Sequence, residues 1–116
     1  MVEDRITDGK RIGQLFASEL TGLERGPLGA VSVEDAEPDV EPTPAGAFAF
    51  RVAADGQAIG TVTVTETTAR LELDEPTDFE SERDDVTVEE SGTVVVAHSG
   101  AAVKTLVDVV AEALRT

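Results

Sequence analysis

In the middle of this chain the apolar residues recur with a period of two, and that period restricts the fold more than any other feature. Neighbouring side chains of a strand point to opposite faces. A one-residue slip between paired strands therefore turns every apolar group to the wrong side. Phe48, Phe50 and Val52 alternate with Ala49, Arg51 and Ala53 and read as a half-buried strand. Asp55-Gly56 marks the turn after it. A two-residue loop there pairs Phe50 with Thr61 and leaves Val62 and Val64 on the opposite face. A three-residue loop, Asp55-Gly56-Gln57, pairs Phe50 with Val62 and Phe48 with Val64, and parity favours it.

Two more hairpins obey the same test. Val62 and Val64 match Leu73 and Leu71 if a four-residue loop runs from Glu66 to Ala69. Val86 and Val88 match Val96 and Val94 across Glu90-Ser91-Gly92, with Gly92 suited to a left-handed position. A shorter strand is expected over Leu28 to Glu34, with Val31 and Val33 on one face. Polar residues fill the other face of the sheet: Arg51, Thr61, Thr63, Thr65, Arg70, Glu72 and Thr87. Val94-Val95-Val96 is apolar on both sides, which marks a central strand and leaves Val95 to meet a covering loop or a partner.

Both ends carry helical spacing instead. Ile12, Leu15, Phe16, Leu20 and Leu23 predict a helix over about Asp8 to Leu23, capped by Thr7 or Asp8 and stopped by Gly26-Pro27. A second helix is expected from about Gly100 to Leu114, its stripe made of Val103, Leu106, Val107, Val110 and Leu114 with Val109 and Ala113 alongside. That stripe is wider than docking on one sheet requires. Either the two helices lie side by side, or Val103, Leu106, Val109, Val110 and Ala113 meet a second copy; Val95 is the other candidate contact. The fold expected is α+β: a two-layer sandwich, with an antiparallel sheet of five or six strands and the N- and C-terminal helices on one face. At 116 residues it is a single domain.

Charge is confined to the connections. The chain holds 24 acids against 9 bases, a net of −15. Residues 34–44 and 74–90 carry −13 of it, which places acidic loops at about 34–46 and 74–85. This balance opposes nucleic acid and anionic membranes, whose binders neutralise phosphates. Cysteine is absent, which removes disulfides, iron–sulfur clusters and thiolate zinc sites, and no cofactor is expected. Met1-Val2-Glu3-Asp4-Arg5 has no apolar core behind it, and Ala45 to Phe50 is too short to span a bilayer, so a cytoplasmic protein is expected. Bases are mainly Arg, with Lys10 and Lys104 the only lysines; aromatics are few, and Val, Ala and Thr abound. In this composition the chain resembles the small acidic cytosolic proteins of halophilic archaea, which implies a salt-rich habitat.

Candidate chemistry is sparse. By parity with Val94 and Val96, the single histidine, His98, faces the helices, where Glu19 interrupts the stripe of the first helix. Together with Ser99 at the start of the last helix, they form the candidate catalytic or anion-binding group. The competing reading is a structural ion pair, with Ser99 as an N-cap. Ala97-His98-Ser99-Gly100-Ala101 lacks the first glycine and the last of a nucleophile elbow, and Gly9-Lys10 lacks the earlier glycine and the strand of a phosphate loop. Asp74, Glu75, Asp78, Asp84 and Asp85 are the candidate ligands for a hard cation, without the spacing of a calcium loop. Phe79 among them either tucks that loop against the sheet or anchors a partner. The sequence supports a small non-enzymatic interaction or homo-oligomeric protein, kept soluble in salt by its acids. The alternative is an enzyme or small-anion binder working through Glu19, His98 and Ser99.

Overall fold

The computed structural model describes residues 8–22, 31–37, 39–74, 84–89 and 93–114. Their architecture is the expected α+β sandwich: an open antiparallel sheet with two helices on one face. The first helix, α1 (Gly9–Gly22), is capped by Asp8, whose Oδ1 accepts the Arg11 amide at 3.1 Å. Ile12, Phe16 and Leu20 point inward and are almost wholly buried. The expected Leu23 and Gly26-Pro27 lie outside the described residues.

The strands are β1 (Val31–Glu34), β2 (Ala47–Ala54), β3 (Gln57–Val64), β4 (Ala69–Leu73), β5 (Val86–Val88) and β6 (Val94–Ala97). Their spatial order is β1-β2-β3-β4-β6-β5, so the chain leaves β4, passes to the far edge and returns through β6. The second helix, α2 (Val103–Leu114), follows a 3₁₀ turn at Gly100–Ala102.

The first hairpin corrects the expected loop. Asp55 and Gly56 alone make the turn, both at positive φ (52° and 81°), and Ala54 pairs with Gln57. Phe50 nonetheless pairs with Val62, because the ladder shifts by one residue between Val52 and Ala53, where Ile59 is extra. A second irregularity at Ala49 shifts it back, so Phe48 pairs with Thr63 rather than Val64. Two compensating bulges thus allow a tight turn and an inward Phe50 together. Phe50 meets the ring of Phe16, 6.0 Å away and tilted by 50°.

The second hairpin keeps the expected face but moves by two residues: Val62 pairs with Leu71, Val64 with Ala69 and Gly60 with Leu73. Its turn closes early because the Thr65 hydroxyl accepts the amides of Thr67 (3.4 Å) and Thr68 (3.0 Å), while the Thr65 amide donates to the Thr68 carbonyl.

The third hairpin overturns the expected parity. Val86 pairs with Ala97 and Val88 with Val95, and Glu89 N donates to the Val94 carbonyl. Four residues therefore separate the paired ends where three were expected; Glu90-Ser91-Gly92 lies outside the described residues. Val95 and Ala97 face the helices with no exposure at all, and Val94, Val96 and His98 turn to the other side. The wide stripe of α2 has its explanation inside the chain: α1 packs along one flank and the sheet below. Val103, Leu106, Val109, Val110 and Val95 are buried, so none of them is free to meet a second copy; Ala113 is half-buried. The outer side of α2 shows Lys104, Asp108 and Glu112.

Candidate functional site

Because both helices occupy one face, the other face of the sheet is the broad surface they leave uncovered. Its central rows follow from the ladders. Arg51 pairs with Thr61, which pairs with Glu72, which pairs with Val94. Beside that row, Phe48 pairs with Thr63, Thr63 with Arg70, Arg70 with Val96 and Val96 with Thr87. The polar face expected from the sequence is thus present, with Phe48 and Val96 set into it. Both are half-buried, while Val94 is buried. The guanidinium of Arg51 lies over the Phe48 ring, 5.8 Å from its centre.

Both arginines of this face are paired within the chain, while Glu34 and Glu72 stand exposed beside them. Arg51 Nη1 meets Asp35 Oδ2 at 3.3 Å, and Arg70 Nη2 meets Glu89 Oε2 at 3.6 Å. Both pairs are substantially exposed, so each contributes little to stability. Arg70 also carries a buried Nε with no partner.

The proposed catalytic group is not assembled. His98 stands on this open face with Nε2 2.9 Å from the Thr87 hydroxyl, and its amide donates to the Asp85 carbonyl. Glu19 remains half-buried on α1, and no hydrogen bond or ion pair joins it to His98. Inversion of the β6 parity separates them, since His98 continues the outward set of Val94 and Val96. Ser99 is buried and occupies the N-cap position, but its hydroxyl caps nothing; it donates to Asp85 Oδ2 at 2.7 Å. That bond ties the start of β5 to the junction of β6 with the last helix.

The candidate cation ligands are split as well. Asp74 sits at the end of β6 marked by Thr93, where the Leu73 amide donates to the Thr93 carbonyl. Asp85 sits at the other end, beside His98. Five residues of extended chain put these ends roughly 17 Å apart, too far to share one cation. Asp84 adjoins Asp85 and is exposed; Glu75, Asp78 and Phe79 lie outside the described residues. No cluster of metal-ligating side chains occurs among the described residues, and no helix is long and apolar enough to cross a membrane.

Two features escaped the sequence reading. The partner of Ser99 depends on the β5–β6 register, which no local pattern encodes. Gly9, Gly13 and Ala17, spaced by four on α1, were legible as a small-residue row that brings the helix close to its neighbours. A Cβ on Gly9 would run into the carbonyl oxygens of Thr65 and Thr68. One family model matches the chain over residues 1–116, that of a family of unknown function, DUF7993. No curated protein and no solved structure matches.

Proposed function

Taking as premise that the chain belongs to the DUF7993 family, whose function is unknown, we propose that it is a non-catalytic binding module whose working surface is the open face of its sheet. The observation that carries this reading is the pairing of Phe48 and Val96 with partnered charges on a face that neither helix covers. Aromatic and aliphatic anchors within a polar surround are the composition of a protein interface.

The working medium is concentrated salt. A net charge of −15 on 116 residues opposes compaction and association alike, and molar salt shortens the reach of that repulsion to about 3 Å. In dilute buffer the repulsion between acidic loops extends across the molecule.

A comparison of family members tests the surface. Phe48, Arg51, Arg70 and Val96 are expected to be restrained in side-chain character, while Lys104, Asp108 and Glu112 on the outer side of α2 vary freely. Equal variation on the two surfaces would rule the reading out.

A further inference from the structure

We infer that a second copy of this chain covers the open face, sheet against sheet, about a twofold axis running along the strands. The inference rests on the binding reading above and names its partner. Three observations select a second copy.

The first is charge. Arg51 and Arg70 are the only bases in the described strands, and both lie on this face, each with a carboxylate of its own chain. A strongly basic partner is drawn to the acidic loops and away from these arginines. A strongly acidic one is repelled by the chain as a whole. The face suits a surface of its own kind, mixed in sign, with Glu34 and Glu72 exposed beside the two paired arginines, that closes once salt screens −15 from −15.

The second is placement. In the order β1-β2-β3-β4-β6-β5, strands β2 and β6 are each second from an edge. A twofold axis along the strands, between two stacked sheets, sets β2 of one copy over β6 of the other and β3 over β4. Phe48 of each copy then faces Val96 of its mate, a self-complementary contact made twice.

The third is area. Six strands spaced ~4.8 Å apart and ~18 Å long bury on the order of 1,000 Å² between two copies, the lower limit for a specific interface. An interface of that size, with charged rims of one sign, is sensitive to salt.

Sedimentation equilibrium of the full chain in dilute and in molar KCl tests this, with Val96→Lys, Thr61→Lys and Lys104→Glu alongside. Thr61 lies mid-sheet on β3 and serves if Val96→Lys fails to fold, with circular dichroism checking each variant. The wild type is expected to dimerise in molar KCl. Each open-face variant should raise the dimer dissociation constant by about tenfold or more, and Lys104→Glu should leave it unchanged. A wild type that stays monomeric in molar KCl overturns the inference, as do open-face variants that dimerise like the wild type. A monomer together with restrained open-face residues across the family sinks the second copy and leaves the binding reading standing. Free variation of those residues sinks the reading itself.

Discussion

At the scale of single residues, close approach decides more than chemistry does. Gly9 opens α1 with its amide donating to the Glu66 carbonyl at 3.1 Å, so the first turn of the helix is pinned to the β3–β4 turn. No Cβ fits there without moving backbone, because the obstructing atoms are the Thr65 and Thr68 carbonyl oxygens. Gly9→Ala raises helix propensity by nearly 1 kcal/mol, yet it is expected to destabilise the protein by about 2 kcal/mol or more, since overpacking outweighs that gain. Urea unfolding followed by circular dichroism measures the sign, and a stabilised variant would show that the helix start is free to shift. Ser99 presents the opposite case, in which a hydrogen bond decides. Its hydroxyl is buried against Asp85, and Ser99→Ala is expected to cost about 1–2 kcal/mol. A double-mutant cycle with Asp85→Ala, which removes the acceptor, isolates the pair. Additive losses would mean that the bond contributes nothing of its own.

At the scale of elements, the hairpins separate what the sequence encodes locally from what it does not. The inward face of β2, β3 and β4 was legible because Phe50, Val52, Val62, Val64 and Leu71 repeat with the period of a strand. Only one assignment buries them all. The length of the first loop was not legible, because bulges at Ile59 and Ala49 each absorb a residue and leave no sequence mark, whereas the second loop has the expected four residues, one position earlier. The face of β6 was misread because Val94, Val95 and Val96 satisfy either parity. The polar His98, in phase with Val94 and Val96, was the available clue that this set faces outward. The candidate site went wrong by the same step, since the pairing of His98 with Glu19 depended on that parity. Turn chemistry gives a clean test of the first hairpin. Gly56 stands at φ 81° with no atom near its absent Cβ, so a side chain there meets backbone strain and nothing else. Gly56→Ala is expected to cost about 1–2 kcal/mol, read from the shift in the urea midpoint at constant slope. A neutral result would mean that Asp55-Gly56 does not hold the primed turn.

At the scale of the whole molecule, packing and charge oppose each other. Two helices and one sheet face bury the core from Ile12 to Val110, while the connections concentrate negative charge on a small surface. The two ion pairs on the open face are too exposed to offset that repulsion, and the proposed reading assigns that role to screening by salt. The thermal midpoint is therefore expected to climb steeply between dilute and molar KCl. Concentrated salt also strengthens apolar burial in any protein, which by itself would give a rise of the same sign. A variant separates the two causes. Asp39 and Glu41 are exposed in the first acidic loop, and among the described residues neither side chain has a hydrogen-bond or ion-pair partner. Replacing both by Asn and Gln lowers the net charge without touching the core. If repulsion governs, the variant is more stable than the wild type in dilute buffer, and the two midpoints converge in molar KCl. If apolar burial governs, the two proteins rise in parallel at every salt concentration. Parallel curves would remove electrostatic screening as the reason this chain tolerates its acids, and with it the case for concentrated salt as its working medium.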